Sequence, residues 1–135
     1  MSKIETLIAY LIAIQSFAKD IHYTVSGDAF YSKHKFADYV AENIDEFIDE
    51  LKETCYLANS YIPAITPKYW DIATTFYPDR VDADYKNIIA LRNLIIDAVG
   101  YLNTLPNFSR AENAILDNIA QDLQRKLGLL NRQVG

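Results

Sequence analysis

Glycine, proline and cysteine are all scarce in this chain: four, four and one among 135 residues. So few glycines and prolines do not suit a turn-rich all-β fold and favour long uninterrupted helices. Cys55, the single cysteine, has no partner in the chain for a disulfide, so the fold does not depend on an oxidising compartment. The chain also lacks a glycine-rich phosphate loop, a C-x-x-C pair and a nucleophile elbow. Its N-terminal apolar run, "LIAYLIAI", is too short to span a bilayer and has no small-residue cleavage site after it. These absences predict a soluble, cytoplasmic protein with no membrane partner.

Half the residues are hydrophobic, enough for residues 1–135 to bury a real core as one domain. The net charge is −5, so the folded surface repels nucleic acid as a whole. Near the C-terminus "QRKLGLLNR" gathers Arg125, Lys126 and Arg132, which read as a solvated helix end.

Apolar residues at 4, 7, 11, 14, 18, 21 and 25 alternate steps of three and four, the seam of a helix packed against others. Gly27 is placed to cap it in the left-handed conformation. A second helix is expected over 28–55, about 42 Å long, with Phe30, Ala37, Ala41, Ile44, Ile48, Leu51 and Cys55 on one stripe. Pro63 and Pro67 stop any continuation, and "ITPKYWDIATTFYP" reads as a short helix with Thr66 as N-cap. The aromatics between residues 56 and 77, Trp70 among them, read as packing around this connection. A third long helix is expected over 82–104, with Ile88, Leu91, Ile95, Val99 and Leu102 inward. The fourth begins at Ser109, where Glu112 completes an S-x-x-E capping box, and buries Leu116, Ile119, Leu123, Leu127 and Leu130. The fold class expected is all-α: a four-helix bundle with a short helix in the crossover between its second and third helices.

An E-x-x-H on each of two helices marks the usual di-iron bundle, and this chain has none. A stripe on the second helix remains: His34, Asp38, Asp49 and Glu53. At about 100° per residue all four share one face of a continuous helix, and imidazole with carboxylate suits iron. Asp38 and Asp49 are about 16 Å apart along such a helix, too far to touch one ion. Residues 34 and 53, and likewise 38 and 49, lie symmetrically about the midpoint between 43 and 44. Two copies packed antiparallel about that point would set His34 against Glu53 and Asp38 against Asp49, making two equivalent sites. His22, near the end of the first helix, reaches the same place through the turn at Gly27. The bland alternative is a solvated acidic face: seven of the sixteen residues over 38–53 are acidic, so carboxylates fall on any chosen face.

The segment "HYTVSGDAFYSKHKFAD", then an aspartate eleven residues on and a glutamate four after that, resembles the signature of the Dps family, the miniferritins related to the DNA-binding protein from starved cells. His22, Gly27, Phe30, His34, Asp38, Asp49 and Glu53 fall on the pattern without an insertion, and Lys19 is a residue often found there. The resemblance implies a ferritin-like bundle in which His22, His34 and Asp38 come from one subunit and Asp49 and Glu53 from its two-fold mate. It also implies a hollow homo-oligomeric shell, typically a dodecamer, that oxidises Fe(II), usually with hydrogen peroxide, and stores ferric mineral. Iron is then both substrate and cargo.

Three departures from the family accompany the match. Tyr23 replaces the usual tryptophan, Thr54 stands where an arginine commonly follows the glutamate, and no Lys-rich tail precedes the first helix. Without such a tail, and at a net charge of −5, no DNA binding is expected. Glu112 and Asp117 are candidates for an iron route, or else a cap and a solvated charge. Two further readings are a helical scaffold or interaction protein without ferroxidase activity, and a shell that binds another divalent metal without turnover.

Overall fold

The computed structural model describes residues 2–62 and 64–134, and among them every regular element is helical. They are α1 (Ser2–Thr24), α2 (Phe30–Ala41), α3 (Ile44–Leu51), a π-helical turn (Lys52–Leu57), α4 (Thr66–Thr74), α5 (Asp84–Asn103) and α6 (Arg110–Val134). The stop expected at Pro63 lies outside the described residues.

Helix α1 packs against α2, α3, α4 and α5, while α6 packs on α5 and reaches α3 and the π turn. The arrangement is compatible with a helical bundle. All seven residues of the α1 seam, from Ile4 to Val25, are buried. The five inward positions expected of α5 are buried as well, as are Leu116, Ile119, Leu123 and Leu130 of α6, while Leu127 of α6 and Ile48 of α3 are only half-buried. These stripes are long and regular, so burial of one face is enough to commit the segment to a helix. Tyr56 and Tyr69 join the core, their hydroxyls 3.3 Å apart, whereas Trp70 is 40% exposed.

Four further details differ from the expectation. The second helix is not one rod. It stops at Ala41, where Glu42 turns extended (ψ 145°) and Asn43 adopts φ +69°, before α3 resumes at Ile44. Asparagine tolerates the left-handed region because its short side chain causes little clash there, so Asn43 completes the corner that extended Glu42 begins. The π turn that follows widens the helix again, with Glu53 inside it. Secondly, Phe30 is 44% exposed: left-handed Gly27 (φ +71°) and Ala29 (φ +57°) delay the start of α2, so Phe30 is its first residue, at the open end of the helix, and its ring stacks on His34. Thirdly, α4 takes Ile65 rather than Thr66 as its N-cap, with the Lys68 amide donating to the Ile65 carbonyl at 3.0 Å. Finally, Lys126 is not a solvated residue: it is buried, 1% exposed, between α6 and the bend.

Half of the capping box expected at α6 is formed, with the Glu112 side chain bonded to the Ser109 hydroxyl instead of its amide. The Glu112 amide donates to Ser109 Oγ at 3.3 Å, and the Ser109 hydroxyl donates to Glu112 Oε1 at 2.8 Å. Among the described residues no helix is long and apolar enough to cross a membrane.

Candidate metal site

The end of α1 and the first half of α2 are folded together by the turn at Gly27. That turn is tied down from outside: Lys33 Nζ donates to Ser26 O at 2.9 Å and to Asp84 Oδ2, on α5, at 2.6 Å. Asp84 also accepts from the Ser26 amide at 3.4 Å, and the Lys33 contact holds its carboxyl below the usual range.

Across this turn the two histidines bind each other's backbone. His22 Nδ1 lies 2.7 Å from the His34 carbonyl oxygen, and His34 Nδ1 lies 2.7 Å from the His22 carbonyl oxygen. A carbonyl only accepts, so both Nδ1 atoms carry the proton, and in the neutral rings the lone pair is on Nε2. A carbonyl partner on one ring nitrogen is the common way to orient a metal-binding imidazole through the other. The rings stack with centroids 3.6 Å apart and planes 20° from parallel. Phe30 stacks on His34 at 5.2 Å, and the Tyr23 ring meets His22 edge-on at 5.0 Å.

Ring stacking limits what the pair can hold. A single ion midway between rings 3.6 Å apart, with bonds of about 2.1 Å, would lie roughly 60° out of each ring plane. Lone pairs lie in the plane. As they stand, then, the two rings do not converge on one ion, and binding one ion with both requires the stack to open.

Asp38, one turn after His34, accepts a 2.8 Å hydrogen bond from Lys19 Nζ through Oδ1, with Oδ2 left over. That hydrogen bond is the largest reason its carboxyl is held below the ordinary range; burial opposes it, and the charge of Lys19 adds to it. Beside it a groove of about 230 Å³ runs to the bend, lined by Lys19, Asp38, Glu42, Asn43, Asp45 and Glu46.

Asp49 and Glu53 are exposed and lie beyond the bend, on α3 and the π turn. The phase that set them on one face with His34 and Asp38 holds within α2 only. Left-handed Asn43 and the wider π turn break it between 38 and 53. Among the described residues of one chain, no group of three or more His, Cys, Asp and Glu side chains closes on a point that could hold a metal ion.

Other candidates separate clearly. Glu112 is buried and occupied as the α6 cap, whereas Asp117 is exposed in a polar groove with Asn103, Asn107 and Asn113. Burial, with the Glu112 carboxylate beside it, pushes the Cys55 thiol up to about 11, so it stays protonated. Lys126 escaped the composition-based reading, although its register was informative: it lies seven residues after Ile119 and four before Leu130, on the buried stripe of α6.

Compared with protein-family models and with curated proteins, the chain has no match in either.

Proposed function

We propose that this protein is a Dps-like ferroxidase and iron store, with a ferritin-like bundle and metal sites shared across a two-fold axis between copies. The observation that carries the reading is the reciprocal lock of His22 and His34. It leaves two oriented Nε2 donors, and Asp38 is held ionised one turn away with one oxygen to spare. Asp49 and Glu53 are exposed and make no ion pair with a described residue, as ligands reserved for a partner copy would be.

Fe(II) is the substrate. Asp38 and the partner-facing Asp49 and Glu53 supply hard anionic oxygens, and His22 and His34 supply one nitrogen each. Paired ions suit a two-electron oxidant: each Fe(II) gives one electron to hydrogen peroxide, whose O–O bond breaks to two hydroxides without releasing hydroxyl radical. Lys19 keeps Asp38 charged and aimed while its own ammonium stays off the second oxygen. A net charge of −5 supports a shell that does not bind DNA.

A second reading, a helical scaffold without this chemistry, is favoured by one observation: Lys19 already neutralises Asp38 in the isolated chain. Peroxide-driven oxidation of Fe(II), followed at the near-ultraviolet ferric band, separates the two. His34→Ala with Asp38→Ala should abolish the rate, and an unchanged rate would sink the site assignment. A monomeric mass in solution would do the same, because a monomer lacks half the ligands.

A further inference from the structure

We infer that Lys126 is a positioning residue for the shared site, acting through the bend at Glu42 and Asn43 without touching metal; the inference rests on the function proposed above. Lys126 Nζ donates to the Glu42 carbonyl oxygen at 2.6 Å. On its other side it lies 2.7 Å from Asp122 Oδ2, one turn earlier on α6, as an ion-pair contact. The ammonium has left water almost entirely and depends on these two oxygens. Its neighbours on the same stripe, Ile119, Leu123 and Leu130, are apolar and buried, so an apolar side chain would fill this position at less desolvation cost. What lysine adds there is a directed grip on one carbonyl.

That carbonyl belongs to the corner of the bend. Glu42, at ψ 145°, has left the helical ladder, so its oxygen needs a donor from elsewhere. Before the corner stand His34 and Asp38; after it stand Asp49 and Glu53. The corner angle therefore sets where the second pair points relative to the first. Glu53 is about 15 Å beyond the corner measured along a helix, so a 10° error moves it by about 2.6 Å. Metal–ligand distances tolerate only about 0.2 Å. In an antiparallel pair of copies the axis passes beside this corner, and the same error enters both sites. Asn43 permits the bend, but permission fixes no angle. Helix α6, which also packs on α3 and the π turn, supplies the fixed reference, and Lys126 is its contact with the corner.

The test is a titration of the full-length protein with Co(II), read by its visible absorption, alongside helix content and mass in solution. Lys126→Met preserves length and bulk but removes the donor. It is expected to stay helical and keep the wild-type mass while binding Co(II) about tenfold or more weakly, with an altered spectrum. Lys126→Arg, whose guanidinium keeps a cation within reach of the carbonyl, should recover most of the affinity. A folded Lys126→Met variant with wild-type affinity and spectrum overturns the inference. Should that variant fail to fold, Asp122→Asn carries the test: it removes the anion that steadies the ammonium and should weaken Co(II) several-fold, and unchanged affinity overturns the inference equally. Failure of the shared-site reading looks different. Wild type and His34→Ala would then bind Co(II) alike, or not at all, and the role of Lys126 would fall with it.

Discussion

His22 and His34, twelve positions apart, each donate from Nδ1 to the other's backbone carbonyl, over 2.7 Å both ways, across the turn between α1 and α2. Neither side chain accepts from the other. The bonds are therefore independent: removing one imidazole deletes its own bond and leaves the acceptor for the second in place.

This independence predicts near-additive costs. His22→Ala and His34→Ala should each lower stability by about 0.5–1.5 kcal/mol. The double variant should fall close to their sum, apart from the lost stacking between the rings. Urea unfolding of the four proteins measures this. A double variant no less stable than either single one would show that the two bonds form as a single unit.

Stability should fall at acid pH through two carboxylates that lysines hold down. Asp84 and Asp38 both titrate below their unfolded values, because of Lys33 and Lys19 respectively. A lowered folded value means the stabilisation is complete above the unfolded carboxylate range, near 4, and is lost as pH falls through the folded value. The Lys19–Asp38 pair is about 40% exposed on each side and so contributes little. Asp84→Asn should cost about 1 kcal/mol at pH 7 and flatten the acid limb of a melting-temperature profile. An acid limb as steep as that of wild type would remove this pair as its cause.

Ala29 is a non-glycine residue at φ +57° with no side-chain cap to offer α2. The left-handed region costs an L-residue about 1–2 kcal/mol, while glycine adds about 0.4–1 kcal/mol of unfolded-state entropy. Ala29→Gly should therefore stabilise the protein, by about 0.5–1 kcal/mol, as seen in the denaturation midpoint. Asn43→Val should do the opposite, since a β-branched side chain does not accept φ +69°.

Cys55 has no exposed surface, and its thiol is raised to about 11 by burial. At pH 8 an aromatic disulfide reagent should label it only as fast as the protein opens, and denaturant should release the full signal at once. Rapid labelling of the native protein would mean that the π turn carrying Cys55 opens locally.

Helices α1 and α5 and their inward faces were legible in the residues alone. The seam of α1 and the stripe of α5 repeat every three or four residues, a period that follows from helix geometry and needs no knowledge of what lies opposite. The half-formed capping box at Ser109 and the turn at Gly27 are local in the same way. The spacing of His22, His34, Asp38, Asp49 and Glu53 was visible as a pattern of residue types, although among the described residues of one chain they do not close on one point. The bend at Asn43 was not, because asparagine permits the left-handed region without requiring it. The bend carbonyl is gripped by Lys126, 84 residues away. The tautomers of His22 and His34 were likewise beyond the sequence, since two backbone oxygens brought together by the turn decide which nitrogen keeps its proton. What depends on a residue's near neighbours is written along the chain; what depends on a partner supplied by another helix exists only once the helices have packed.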